Sequence, residues 1–316
     1  MSMIEVKITR IVDEAQNVKS FWLERKDGTA LGKYSPGAHI DVVGPTAITR
    51  QYSLCSTPDA GESFSIAVKR ESESRGGSQA LHELEVGDTL QISEPRNLLE
   101  INQQAAHHVL VAAGIGITPM LSMARYMDVH SIPFDLYYFS RNENEAAFLP
   151  LLAEKCPEKL HSFLGVKREA QDEQLRKAFE QMPDGAHVYT CGPAGFMEKV
   201  VGIAEKFVDE DAIHLENFHA AQQPGAEANT EFEVELEGET YTVPADKSIF
   251  QVLEENDCDV DTSCEEGICG TCIMRVLTGT PEHRDSVLSA AEKNSGEVIA
   301  VCVSRSKSAK LVLDYD

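Results

Sequence analysis

The sequence lacks long apolar runs. No window approaches about 18 uninterrupted apolar residues, so no membrane-spanning helix is expected. Its start, MSMIEVKITR, lacks a basic stretch followed by an apolar one, so no signal peptide is expected and the chain is placed in the cytoplasm. Positive charge is scarce: 28 Lys and Arg stand against 52 Asp and Glu, a formal net charge of −24. That deficit argues against nucleic acid and anionic membrane surfaces as partners. Internal repeats are absent too, which excludes a solenoid. An evenly spread disulfide framework is also missing. The 8 cysteines include a tight cluster, and clustered thiols in a reducing compartment hold metal or do redox work.

What is present divides into segments. The 316 residues suit two or three domains, and 42 % apolar content is ample for their cores. Residues 1–103 alternate apolar and polar in short runs such as IEVKITRIV and SFSIAVKR, punctuated by Gly and Pro. This pattern predicts an antiparallel β-barrel or sandwich. From His107 the pattern changes to continuous apolar runs (HHVLVAAG, FDLYYFS) alternating with helical stretches. That predicts a doubly wound α/β domain over 104–221. Residues 222–230 are small and polar and read as a linker. Beyond them, TEFEVELEGETYTVP predicts a hairpin about Glu237-Gly238, followed by the helix SIFQVLEEND, in a small α+β, β-grasp-like module over 231–316.

Within that module, SCEEGICGTC places Cys264, Cys269 and Cys272 within ten residues. Iron held by thiolates wants four soft ligands per cluster, and a loop supplies three only if it curls. Gly267 and Gly270 permit that curl. Cys302, in the apolar run EVIAVCVSR read as a core strand, is the fourth candidate, with 29 residues separating it from Cys272. The pattern C-x4-C-x2-C-x29-C is the spacing of plant-type [2Fe–2S] ferredoxins. Structural zinc is the rival reading, though it ordinarily uses paired C-x2-C units. Cys55, Cys156 and Cys258 fit no ligand step. A cluster of this type carries one electron, near about −400 mV, and needs a donor and an acceptor.

The donor side is sought in the first two segments. AAGIGITPM carries Gly114, Gly116 and Thr118 at a strand-to-helix turn, where a helix N-terminus favours anions. The third glycine of the dinucleotide fingerprint is missing, so an ordinary tight turn would look the same. YTCGPAGFM sets Cys191, Gly192 and Pro193 at a later strand end, and Ser140 and Arg141 end an intervening strand. In a doubly wound sheet those ends line one crevice. In the first segment, Arg50-Gln51-Tyr52-Ser53-Leu54 lies on a strand; Ala67 and Lys69 end the next run, and Arg75-Gly76-Gly77-Ser78 precedes a short helix. Each of these has a bland alternative: a strand with a buried tyrosine, or a helix capped by Ser78.

Together these motifs resemble the ferredoxin–NAD(P)+ reductase superfamily, whose R-x-Y-S, G-x-G-[IV]-[TA]-P and C-G-P elements hold flavin and reduced dinucleotide. The resemblance implies that Arg50, Lys69, Gly76, Gly77 and Ser78 hold flavin phosphate, with Tyr52, Ser53, Leu54 and Ala67 against the flavin. It implies that Gly114, Gly116, Thr118, Cys191, Gly192 and Pro193 receive pyrophosphate and nicotinamide, with Ser140 and Arg141 near the adenosine half. Ser53, Cys191 and Phe218, the last stacked on the flavin ring, would surround the reacting atoms. No adenine-stacking insertion is evident, so FMN is expected over FAD. Glu143 and Glu145 beside Arg141 favour NADH over NADPH.

The order of modules, flavin barrel, dinucleotide domain and C-terminal ferredoxin, resembles the phthalate dioxygenase reductase and vanillate O-demethylase reductase group over nearly the whole chain. The resemblance implies electron flow from NADH through flavin to the [2Fe–2S] cluster and on to a Rieske-type non-haem iron oxygenase. Alternatives are a stand-alone flavin or ferric reductase, a reductase for a cytochrome P450, and a redox-sensing module. No residue is assigned acid–base work, and the histidines read as structural or surface groups. The acidic last segment, with 19 Asp and Glu against 7 Lys and Arg over 229–316, suits a basic partner.

Overall fold

The structure is a computed structural model and describes residues 3–72, 76–218 and 229–315. Arg75 and residues 222–228 of the expected linker lie outside the described residues. The chain forms two compact units, one ending at Glu216 and the other beginning at Asn217. Among the described residues no helix is long and apolar enough to cross a membrane.

The first unit opens with β1 (Ile4–Ala15), β2 (Val18–Arg25), β3 (His39–Val43), β4 (Thr49–Ser53), β5 (Phe64–Lys69), the short helix α1 (Gly77–His82) and β6 (Thr89–Ile92). The strands form a six-stranded antiparallel sheet in the order β4-β3-β6-β1-β2-β5. Its two ends meet: Leu54 bridges Ile66, and the Cys55 N–H donates to the Ser65 carbonyl at 2.7 Å. Closure turns the sheet into a barrel and removes its free edges. Alternation along the strands sends Val6, Ile8, Phe21, Leu23, Ile40, Phe64 and Ile66 inward, where each is fully buried. Each such side chain contributes roughly 1.5–3 kcal/mol.

The second half of this unit runs β7 (His107–Ala113), α2 (Ile117–Val129), β8 (Phe134–Ser140), α3 (Leu149–Lys155), β9 (Leu160–Leu164), α4 (Arg168–Glu180), β10 (Ala186–Cys191), α5 (Ala194–Ala204) and β11 (Ile213–Glu216). All strand pairs are parallel, in the order β11-β10-β7-β8-β9. The order reverses between β7 and β10, so the switch point opens at the ends carrying Ala113 and Cys191. Helix α2 ties this half to the barrel: the Ser122 hydroxyl accepts the Gly37 N–H at 2.9 Å, and Arg125 donates to the Cys55 carbonyl. Cys55 is therefore a small buried residue at the barrel's seam.

The second unit holds β12 (Phe232–Leu236), β13 (Glu239–Val243), α6 (Ile249–Glu255), β14 (Ile273–Thr278), β15 (Pro281–Glu282), α7 (Ala290–Ser295), β16 (Val298–Ala300), β17 (Arg305–Ser306) and β18 (Lys310–Asp314). A mixed five-stranded sheet, β13-β12-β18-β14-β16, packs under α6, which Ser248 and Gln251 cap reciprocally. Arg305 is buried and donates to the carbonyls of Lys247, Thr230 and Pro244 while lying over the Phe232 ring. Three carbonyls and a ring satisfy its fork of donors without a carboxylate. The architecture is the expected one: antiparallel barrel, doubly wound sheet and small α+β module. One local expectation fails. The apolar run predicts a core strand through Cys302, but β16 ends at Ala300 and residues 301–303 form a turn. A strand would alternate Cys302 across the sheet; the turn carries its sulfur toward the cysteine loop.

Candidate functional site

The cysteine loop leaves α6 and returns into β14. Its four candidate ligands are buried: Cys264, Cys269, Cys272 and Cys302. Gly267 has φ +69, and a Cβ there would sit 2.6 Å from Val303 Cγ2 and 3.0 Å from the Asp285 Cα, so only glycine lets the loop fold so closely. The Glu266 N–H points at the Cys264 sulfur at 3.3 Å. Hydrogen bonds from Cys269 and Cys302, helped by the N–H groups of Ile268 and Glu266, hold the Cys264 thiol far below its ordinary range against the opposing effect of burial. A hydrogen bond from Cys302 likewise lowers Cys272. The partner thiols Cys269 and Cys302 are raised in return, so it is the backbone N–H aimed at the Cys264 sulfur that favours the thiolate iron requires.

Cys264 lies within hydrogen-bonding reach of Cys269 and Cys302, and Cys302 within reach of Cys272. Thiols in reach of one another in pairs suit two irons with two thiolates each. The residues fit a [2Fe–2S] cluster. Cys156 and Cys258 lie apart, bonded to the Leu152 carbonyl and the Tyr241 hydroxyl.

In the first unit the switch point is tightly built. Residues 114–116 make a single 3-10 turn into α2. A Cβ on Gly116 would lie 2.2 Å from the Cys191 carbonyl oxygen, and one on Gly192 would lie 3.0 Å from Ala113 Cβ. The two strand ends therefore touch through glycine and leave open space in front of Gly114, where a Cβ would meet nothing within 4 Å. Thr118 is buried and donates to the Ile115 carbonyl at 3.0 Å, shaping the turn from within. Pro193 opens α5 behind Gly192. At the end of β8 the Ser140 hydroxyl donates to Asn142, and the exposed Arg141 guanidinium meets Glu145 at 2.5 Å.

On the barrel, Arg50 lies against Gly77, whose Cβ position is 3.9 Å from Arg50 Cγ. Gly76 precedes α1 with φ +94 and nothing within 4 Å of a Cβ position. Ser78 is not the cap: its hydroxyl accepts the Glu71 N–H at 3.2 Å. The Lys69 ammonium contacts Glu71 at 2.6 Å. A bare glycine backbone beside an arginine fits a phosphate group. Tyr52 is half-buried, and burial pushes its hydroxyl up to about 12. Leu54 and Ala67 are buried in the barrel.

Two residues that carried no motif complete this site. Glu216, at the end of β11 and paired in register with Cys191, is buried at 7 % exposure. Its carboxylate accepts from the Ser53 hydroxyl at 3.4 Å and lies 3.5 Å from His39 Nδ1. Burial, reinforced by Glu216, holds the Cys191 thiol well above its ordinary range, so Cys191 is a neutral thiol. Ser53, Cys191, Glu216 and His39 thus converge although 163 residues separate Ser53 from Glu216. No sequence signal marks Glu216: β11 is an edge strand in which only this last residue is buried. Phe218 follows two residues later, half-buried, and belongs to the second unit.

Comparison with known proteins matches this geometry. Residues 5–101 match the oxidoreductase FAD-binding domain family, residues 232–307 the 2Fe-2S iron-sulfur cluster binding domain family, and residues 92–213 the N-terminal domain of dimethylamine monooxygenase subunit DmmA-like proteins. The chain is 41 % identical over 318 residues to vanillate O-demethylase oxidoreductase of Pseudomonas sp. (strain HR199 / DSM 7063), covering 99 % of this chain and 100 % of that protein. The chain belongs to the vanillate O-demethylase oxidoreductase family. It is an oxidoreductase with a flavin-binding module and a [2Fe–2S] module. The solved structure of phthalate dioxygenase reductase superposes with a TM-score of 0.75 at 36 % identity, over 99 % of this chain and 98 % of that one. An intact type IV self-sufficient cytochrome P450 monooxygenase superposes at 0.85 with 34 % identity, and there this family member spans only 41 % of the longer chain.

Proposed function

We propose that this chain is the NADH-dependent, FMN-containing reductase component of a two-component Rieske-type non-haem iron oxygenase, acting in the cytoplasm. The observation that carries the reading is the cysteine constellation. Four buried thiols suited to [2Fe–2S] stand in the same chain as a barrel with a phosphate-sized cradle and a switch-point crevice, in the order found in full-length relatives named as oxygenase reductases. Bound flavin takes hydride from reduced nicotinamide and supplies single electrons that a [2Fe–2S] cluster accepts.

The chain's own residues set the conditions for that chemistry. Arg50, Lys69 and the Gly76–Ser78 backbone hold one terminal phosphate, which favours FMN over FAD. Gly114, Gly116 and Gly192 let the dinucleotide approach backbone closely, Thr118 and Pro193 shape the turns behind it, and Ser140 and Arg141 meet the adenosine half. Arg141 is already engaged by Glu145, and with Glu143 this leaves an acidic rim that disfavours a 2′-phosphate, so NADH is preferred. Ser53, held by Glu216, and the neutral Cys191 orient the reacting rings. The expected boundaries, 1–103, 104–221 and 231–316, follow these three tasks.

Replacing Cys302 by Ser tests the assignment. NADH-dependent ferricyanide reduction should persist, while the signal of the reduced cluster and electron delivery to the oxygenase component are lost. Undiminished delivery by Cys302→Ser would favour a stand-alone flavin reductase. A cytochrome P450 acceptor is the second reading, supported by the 34 % identity to the P450 monooxygenase chain. Assaying purified Rieske and P450 components side by side separates the two. Denaturation should release FMN, and kcat/KM should be higher with NADH than with NADPH.

A further inference from the structure

Beneath the cysteine loop lies a carboxyl group that no part of the proposed reaction uses. The Asp285 side chain is wholly buried. Its Oδ2 accepts the Leu288 N–H at 2.9 Å, its Oδ1 accepts from the Ser304 hydroxyl at 3.3 Å, and Lys293 Nζ lies 3.6 Å from Oδ2. Lys293 also donates to the Asp285 carbonyl at 2.8 Å, and His283 Nδ1 lies 3.7 Å from Oδ1. Burial lowers His283 from its ordinary range, which leaves Lys293 as the facing cation.

Asp285 touches both arms of the cluster site. The next residue, Ser286, donates its N–H to the Gly267 carbonyl at 2.9 Å, midway between Cys264 and Cys269. Asp285 Cα is the backbone atom a Cβ on Gly267 would meet at 3.0 Å. Its hydroxyl donor Ser304 stands two residues after Cys302. A buried carboxylate is costly, and an apolar residue of similar size would fill the space at less cost in stability. Its presence beside a redox site has a direct electrostatic consequence. Adding an electron to a cluster near a fixed negative charge in a low-dielectric interior is disfavoured, and a nearby cation offsets part of that effect.

We propose that Asp285 is a positioning residue that holds down the reduction potential of the iron–sulfur site, with Lys293 as the counter-charge that limits the effect. The proposal rests on the reading of Cys264, Cys269, Cys272 and Cys302 as cluster ligands. Redox titration of the holoprotein, followed by the spectrum of the reduced cluster, tests it. Asp285→Asn keeps the shape and an acceptor for Leu288 and should raise the cluster midpoint. Lys293→Met should lower it. The flavin midpoints should stay in place in both variants. A loaded Asp285→Asn protein with an unmoved or lowered midpoint overturns the proposal. If Asp285→Asn fails to hold iron, Lys293→Met decides alone: a lowered midpoint supports the proposal and an unmoved one overturns it. Absence of iron and acid-labile sulfide from the wild-type chain would instead sink the cluster reading.

Discussion

Gly116 shows how one missing methyl group shapes the crevice proposed to receive dinucleotide. The Cys191 carbonyl lies 2.2 Å from where its Cβ would be, and the Gly192 nitrogen lies 2.7 Å away. Neither is a flexible side-chain end, so Gly116→Ala must push β10 away from α2. Overpacking of this kind costs about 1–3 kcal/mol. We expect a melting temperature lower by roughly 2–10 °C and a KM for NADH raised at least about tenfold, with flavin content unchanged. An unaltered KM would mean that dinucleotide does not approach this turn. The residue scale also shows where sequence reasoning stops. Cysteines and glycines in fixed spacing are legible because metal geometry and tight turns demand those residue types at those steps. Glu216, His39 and Asp285 are not legible, because a single acid or histidine gains meaning only from residues far away in the chain. The sequence assigns the histidines no more than structural or surface places; His39, buried against Glu216 beside Ser53, is the one whose position asks for more.

At the scale of elements, the change from period-two alternation to continuous apolar runs is enough to separate barrel from parallel sheet, since it reports burial on one face or two. Turn details are less legible, and Cys302 shows why: an apolar run reads the same whether it continues a strand or curls after three residues. Strand β7 has a further property. It begins His107-His108, and the two rings face opposite sides of the sheet. His107 meets Asp135 at 2.8 Å, and Asp135 also meets His161 at 2.9 Å. His108 is buried beside Tyr189, and burial, with the nearby histidines 107, 187 and 214 adding to it, pushes His108 down to about 4. The folded chain therefore binds this proton less readily than the unfolded chain, whose histidine titrates near about 6.5. Stability from this group is full above about pH 6.5, falls as pH drops toward 4, and changes no further below that. Allowing for solvent screening, the loss is roughly 2 kcal/mol. His214, lowered mainly by burial, acts with the same sign. Asp135, lowered chiefly by its bond to His107, loses its contribution only at lower pH, below the ordinary carboxylate range. Urea midpoints between pH 6.5 and 4.5 should therefore fall in the wild type and fall less in His108→Phe. Parallel slopes for the two proteins would refute the assignment.

At the scale of the whole molecule, charge is distributed by task. The net charge is −24, and residues 229–316 contribute 7 − 19 = −12 of it. The stretch from Glu254 to Glu266 includes exposed Glu254, Glu255, Asp257, Asp259, Asp261 and Glu265 and no lysine or arginine, and it leads into the cysteine loop. Charges of one sign around an electron exit accelerate encounter with a basic acceptor by about 10–1,000-fold at low salt. Screening removes that advantage, since the Debye length falls from about 30 Å at 0.01 M to about 3 Å at 1 M salt. The second-order rate of electron delivery to the oxygenase should thus drop about tenfold or more between roughly 0.02 and 0.5 M salt. Ferricyanide, itself an anion, should show the opposite sign and be reduced faster as salt rises. Hydride transfer from bound NADH, proposed to occur within the first unit, is unimolecular and should change less than about twofold. Stopped-flow measurement of the three steps separates them. A flat salt response for the oxygenase, with a rising one for ferricyanide, would show that the acidic surface keeps anions away but plays no part in docking.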